Sequence, residues 1–168
     1  PPSSWRAASK ASNTTDDPDR LSTVAKAFMA GMLRKAAEIT AVTNQTVNSY
    51  KRLVPGFEAP VHISWARNNR SGLVRVPIAK RGNPSATRLE YRSPDPACNP
   101  YLAFSVLLAA GLQGISEGYE PPVEADANLF EMDGAPPATL GLDHLPPTLT
   151  DSLKGAETTN RGTDGHTG

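Results

Sequence analysis

The sequence runs to 168 residues, is 38% hydrophobic and holds 16 prolines and 13 glycines, enough for one turn-rich domain with a core or for a piece of a larger one. Seventeen Lys+Arg balance seventeen Asp+Glu, and a formal net charge of zero argues against general nucleic-acid affinity. One cysteine, Cys98, excludes an internal disulfide, and the apolar run Tyr101 to Leu112 is too short to span a bilayer, so the expected setting is the cytoplasm, with neither membrane nor nucleic acid as partner.

The first residues, Pro1-Pro2-Ser3-Ser4-Trp5-Arg6, have no initiator Met and no signal-peptide core, which reads as a chain cut from something longer. Residues 1 to 20 are polar and Asp/Ser-rich and read as loop. Leu21, Val24, Ala25, Phe28, Met29, Met32, Leu33 and Ala36 then recur at three and four residues, which predicts an amphipathic helix capped by Ser22, its stripe being core. From Asn48 to Arg92 the period changes to two. Strands are predicted at Val61 to Ala66, Leu73 to Ile78 and Thr87 to Arg92, antiparallel to one another, with turns at Pro55-Gly56, Asn68-Asn69 and Gly82-Asn83-Pro84. Asn99-Pro100 starts a second helix, with Gly114 as its expected stop. Its apolar residues cover nearly every face, so it should be buried all round, which needs more protein than this chain supplies. Beyond Gly118 the chain turns acidic and proline-rich, with a short apolar pattern at Leu145, Leu149 and Leu153. Its Thr/Gly/Asp-rich end is expected to be disordered.

Charge is unevenly spread along this order. Lys51 to Arg92 holds nine of the seventeen Lys+Arg against Glu58 and Glu90 alone, while residues 93 to 168 hold eleven acids against Lys154 and Arg161. Charge so concentrated suits anions. In Arg88-Leu89-Glu90-Tyr91-Arg92, an extended backbone puts Leu89 and Tyr91 on one face and Arg88, Glu90 and Arg92 on the other. One carboxylate between two guanidiniums suggests a site for phosphate or carboxylate groups and a metal, although the same row on a solvated strand is ordinary salt-bridge patterning. Arg52, Arg67, Arg70 and Arg75 lie in the same segment, among aromatic and β-branched residues. There is no Walker-type glycine loop, Cys-x-x-Cys or His-Glu-x-x-His, and His62, His144 and His166 are too scattered along the chain to suggest a metal cluster.

Asn48 to Pro60 (NSYKRLVPGFEAP), Arg67 to Pro77 (RNNRSGLVRVP) and Arg88 to Leu102 (RLEYRSPDPACNPYL) resemble, in order and spacing, the later half of the catalytic domain of type I glutamine synthetases. The likeness runs from Asp16 to Glu157; residues 1–15 match only loosely, and 158–168 read as a disordered tail. It implies an α+β fold in which antiparallel strands form part of an active-site barrel with flanking helices. The activity it implies is ATP-dependent ligation of ammonia to the side-chain carboxylate of glutamate through a γ-glutamyl phosphate, giving glutamine, with Mg2+ or Mn2+. By similarity Arg70, Arg75 and Arg88 contact ATP and acyl-phosphate oxygens, Arg52, Arg70 and Arg92 hold glutamate, and Glu90 ligates the metal. Glu58 is the flap carboxylate that closes over glutamate and takes a proton from ammonium, so Glu58 and Arg70 are the catalytic pair. The whole protein is expected to be a homo-oligomer of stacked rings.

The remaining metal carboxylates, the glycine-rich ATP segment with its histidine and the small N-terminal domain of that family are not in this chain. Phe130 stands where some members carry a tyrosine that is adenylylated. Rival readings are a glutamate–amine ligase of the same fold, using a polyamine or another amine, and a non-catalytic remnant.

Overall fold

In a computed structural model the described residues are 21–55, 59–67, 69–77, 87–125 and 143–163. Five helices and a three-stranded sheet form in the order α1 (Thr23–Arg34), α2 (Ala36–Thr43), α3 (Val47–Arg52), β1 (Trp65–Arg67), β2 (Val74–Val76), β3 (Glu90–Tyr91), α4 (Pro100–Ser116) and α5 (Leu149–Thr163). The architecture is α+β.

Ser22 caps α1 as expected, its Oγ accepting from the Ala25 amide at 3.0 Å. The helical run goes further than its periodicity shows, because after a turn at Lys35 it resumes as α2. The Thr40 and Thr43 hydroxyls there donate back to the carbonyls of Ala36 and Ile39, which lets two buried β-branched residues sit in the helix with their polar atoms satisfied. Helix α3 opens on a capping box between Thr46 and Ser49. Its Tyr50 hydroxyl donates to Ser152 Oγ at 2.8 Å, joining α3 to α5 inside the protein.

The sheet has the order β1-β2-β3 and is mixed, which corrects the all-antiparallel expectation. β1 and β2 run parallel, pairing Trp65 with Val74 and Arg67 with Val76; β2 and β3 are antiparallel, pairing Val74 with Tyr91 and Arg75 with Glu90. Parallel neighbours ordinarily need a crossover of about a dozen residues or more. Here the link between them is short, and the Val74 amide bonds the Ser64 carbonyl, so the second strand starts beside the start of the first. The strands are also shorter than their alternating sequences. Residues 122–125 flank β1, with Trp65 Nε1 donating to the Pro122 carbonyl and the Ala125 amide to the Trp65 carbonyl.

Trp65, Leu73, Val74 and Val76 from the sheet meet Leu21, Met29, Met32 and Leu33 from α1 and its approach, with Leu53 and Leu145 closing the core. Burying each such side chain contributes about 1.5–3 kcal/mol. Leu89 and Tyr91 pack against this cluster, so the alternation in β3 does divide its faces as read from the sequence.

Helix α4 begins at Asn99-Pro100, with Asn99 Oδ1 accepting from the amides of Tyr101 and Leu102. It runs past Gly114 to Ser116 and ends in a Schellman turn: Gly118, at φ 63°, lets its own amide reach Ile115 O and that of Tyr119 reach Gly114 O. Gly114 is instead a contact point with α1, since a Cβ there would fall 2.7 Å from Gly31 Cα. Against expectation α4 is not buried all round: Ala103, Ala110, Gly111 and Gly114 are covered, while Tyr101, Leu102, Phe104, Leu108 and Leu112 are exposed. Helix α5 continues past Glu157 to Thr163, beyond the point where a disordered tail is expected. No helix among the described residues is long and apolar enough to cross a membrane.

Candidate functional site

The sheet's charged face is built by register. Arg75 of β2 lies directly across from Glu90 of β3, and Arg88 stands two residues before Glu90 on the same side. Arg75 Nη1 donates to Glu90 Oε2 at 2.9 Å, and Arg88 donates to Oε1 through Nε at 2.9 Å and Nη2 at 2.6 Å. Each carboxylate oxygen thus has its own guanidinium. Burial pulls the Glu90 pKa upward, but the hydrogen bonds and charges of Arg88 and Arg75 outweigh it and hold the carboxyl below its ordinary value. Two guanidiniums against one carboxylate leave the row with a single surplus positive charge, fixed in direction before any ligand arrives.

Arg52 and Arg92 converge by another route. From the end of α3, Arg52 Nη2 donates to the carbonyls of Ser93 and, at 3.2 Å, Pro94, the two residues after Arg92. The Arg92 amide bonds Leu73 O, so the exit of β3 is tied both to the start of β2 and to α3. Asp95 completes this corner: its amide bonds Thr43 O, and hydrogen bonds from the Ala97 amide and Ser49 keep its pKa low. Arg70 is exposed in the link between β1 and β2, and Asn69 Oδ1 accepts from both the amide and the hydroxyl of Ser71 across it. Arg67 is engaged elsewhere, its amide and guanidinium both donating to Glu124. Glu58 lies outside the described residues.

The structure therefore joins Arg75, Arg88 and Glu90 directly and places Arg52 beside the residue that follows Arg92. Sequence reading did not find the cross-strand partnership of Arg75 with Glu90, which depends on register, nor the hydrogen bonds of Asn69 with Ser71 across Arg70. The Asn-x-Ser spacing of an Asx turn was the available signal for the second. A cleft of about 340 Å³ lies apart from this row, bounded by Leu33, Arg34, Ile63, Tyr119 and Asp143, with the Arg34 guanidinium 4.4 Å above the Tyr119 ring.

The donor set limits what can be held. Among the described residues no three His, Cys, Asp or Glu side chains form a group suited to a metal ion. Glu90 offers one hard oxygen donor site, and one carboxylate does not by itself make a site for a divalent cation.

Residues 3–161 match the sequence model of the glutamine synthetase catalytic domain. The chain belongs to the glutamine synthetase family. It is 52% identical over 139 residues to the glutamine synthetase of Thermotoga maritima, covering 83% of this chain and 31% of that relative. Against the Mycobacterium tuberculosis glutamine synthetase it is 50% identical over 145 residues, covering 86% of this chain and 32% of the relative. A match to that of Methanocaldococcus jannaschii is 50% identical over 133 residues, 79% of this chain and 29% of the relative. The chain thus spans about a third of the length of the glutamine synthetases it matches.

Proposed function

We propose that this chain supplies the arginine wall of an ATP-dependent ligase that joins ammonia to the side-chain carboxylate of glutamate through a γ-glutamyl phosphate. The observation that carries this reading is the Arg75–Glu90–Arg88 row on one face of the sheet. Phosphoryl transfer asks for dispersed positive charge placed in advance around the moving group, and two guanidiniums held by a shared carboxylate need no reorganisation to provide it. Arg70 adds a third cation from the adjoining link. Arg75 and Arg88 orient the phosphate oxygens, and Arg70 reaches both phosphate and glutamate.

Arg52 and Arg92, brought to the same corner through Ser93, hold glutamate's carboxylates by the planar fork that lysine lacks. Glu58, by its place in Gly56-Phe57-Glu58-Ala59-Pro60, covers the substrate and takes a proton from ammonium. Glu90 is offered as one ligand to Mg2+ or Mn2+, the others coming from outside the described residues; such an ion, when bound, neutralises phosphate charge. The same reading makes the three strands part of a larger active-site barrel, and the whole protein a cytoplasmic homo-oligomer of stacked rings.

The test is a chimera in which this chain replaces the matching portion of the Thermotoga maritima relative. Formation of glutamine from glutamate, ammonia and ATP is expected, and ammonia should outcompete polyamines as acceptor. A chimera that folds and assembles but yields no glutamine, or that prefers another amine, contradicts the reading.

A further inference from the structure

We infer that Asn69 is a positioning residue that aims Arg70, an inference that rests on the phosphate role proposed for Arg70. An exposed arginine carries about 2 kcal/mol of rotamer entropy and points usefully only if its backbone is held. The downstream half of the link is held by packing: Ser71 is 2% exposed, Leu73 is fully buried, and a Cβ on Gly72 would fall 3.1 Å from the Ala66 amide nitrogen of β1. The upstream half is held by chemistry. Asn69 Oδ1 accepts from Ser71 N and Ser71 Oγ, both at 2.9 Å, closing a ring across Arg70 and pinning its φ and ψ to the buried serine.

The link needs this clasp because of its topology. Residues 69–73 lead into β2, which starts parallel to β1, so no hairpin ladder fixes the turn from both sides. What the clasp requires of residue 69 is a short side chain with an acceptor oxygen at Oδ1. Aspartate has that oxygen; alanine and leucine do not.

In the chimera, Asn69→Ala should lower kcat about tenfold with KM for glutamate and ATP changed less than threefold, and Asn69→Asp should restore most of the loss. Ser71→Ala, which removes one of the two donors, should give a smaller loss of the same kind. In an Arg70→Ala background Asn69→Ala should cost nothing further, since the residue acts through Arg70. A second readout needs no activity: in the assembled chimera, amide exchange over residues 69–73, which include the clasped Ser71 amide, should accelerate with Asn69→Ala and recover with Asn69→Asp. Equal losses in both backgrounds, or unchanged exchange, overturn the assignment of Asn69. If Arg70→Ala alone leaves turnover intact, the proposed role of Arg70 is what falls.

Discussion

Glu90 reads from sequence as a site residue, and in the structure it is a support for two arginines. Its carboxylate organises Arg75 and Arg88, so replacing it disturbs two guanidiniums as well as any metal it ligates. Glu90→Gln keeps the shape and one acceptor oxygen but removes the charge that balances the arginines. Loss of one such pre-placed electrostatic element costs about 10²–10³ in rate, and a kcat drop near that size is expected in the chimera. The folded pKa of Glu90 is depressed, so its pairing contributes stability above the unfolded carboxylate value and loses it as pH falls through the folded one. The row should therefore be intact throughout the neutral range, and a Glu90 titration seen by NMR above its ordinary pKa would contradict the pairing.

His62 is shifted in the same direction as Glu90, but there folding favours the neutral form. It is 4% exposed, bridges to His144 with ring centroids 4.4 Å apart, and joins the segment before β1 to the segment before α5. Burial first, and the neighbouring His144 second, depress its pKa below 6.5. The unfolded chain then takes up the proton more readily than the folded one. The bridge is at full strength above pH 6.5 and weakens as pH falls from there toward the folded pKa. Amide exchange at Ile63 and Leu145, which bond to Asp143 O and Val61 O, should accelerate on acidification, and His62→Phe should flatten that dependence. Exchange that ignores pH beyond its intrinsic chemistry would show that the pair carries no titration energy.

At the scale of elements, side-chain periodicity made the helix starts and the strand faces legible, and backbone direction was not. Ser22 and Asn99-Pro100 mark their helices because an acceptor side chain and a missing N–H are local requirements. Alternation told which residues of β3 share a face, since that is set by the pleat. It could not tell that β1 and β2 run parallel, because direction depends on the path of the link between them. The arginine row was half legible for the same reason: Arg88 and Glu90 are neighbours in sequence, and Arg75 joins them only through register. Glycines were ambiguous too. Gly114 looked like a helix stop and is a contact at which α4 meets α1, whereas the stop is Gly118. This contact makes a graded prediction. A Cβ at Gly114 meets the Ala27 carbonyl and Gly31 backbone, which cannot yield without moving a helix; the nearest atoms to a Cβ at Gly111 belong to the Phe28 ring, a side chain that can turn aside. Overpacking of the first kind costs about 1–3 kcal/mol and exceeds the roughly 1 kcal/mol of helix propensity that alanine adds. Gly114→Ala should lower Tm clearly and Gly111→Ala much less, and equal shifts would mean that the helices are not in this contact.

At the scale of the molecule the decisive fact is a helix with one apolar face packed on α1 and α2 and a second that the described residues leave uncovered. α4 carries no charged residue from Pro100 to Ser116, and its small residues meet α1. Tyr101, Phe104, Leu108 and Leu112, spaced by three and four, form a stripe on its exposed side, with exposures of 82%, 71%, 54% and 52%. A stripe of this kind is stable in water only when covered, and the chain spans about a third of its relatives' length. Isolated, these 168 residues should self-associate through α4, and with a single proposed metal ligand they should form no glutamine. Phe104→Asp with Leu108→Asp should turn the aggregate into a monomer without loss of helicity, because neither side chain supports the core. Light scattering and circular dichroism on the two proteins decide the matter: a wild-type chain that is monomeric at micromolar concentration would remove the stripe as a sticking surface, and a double variant that unfolds would show that these side chains are core after all.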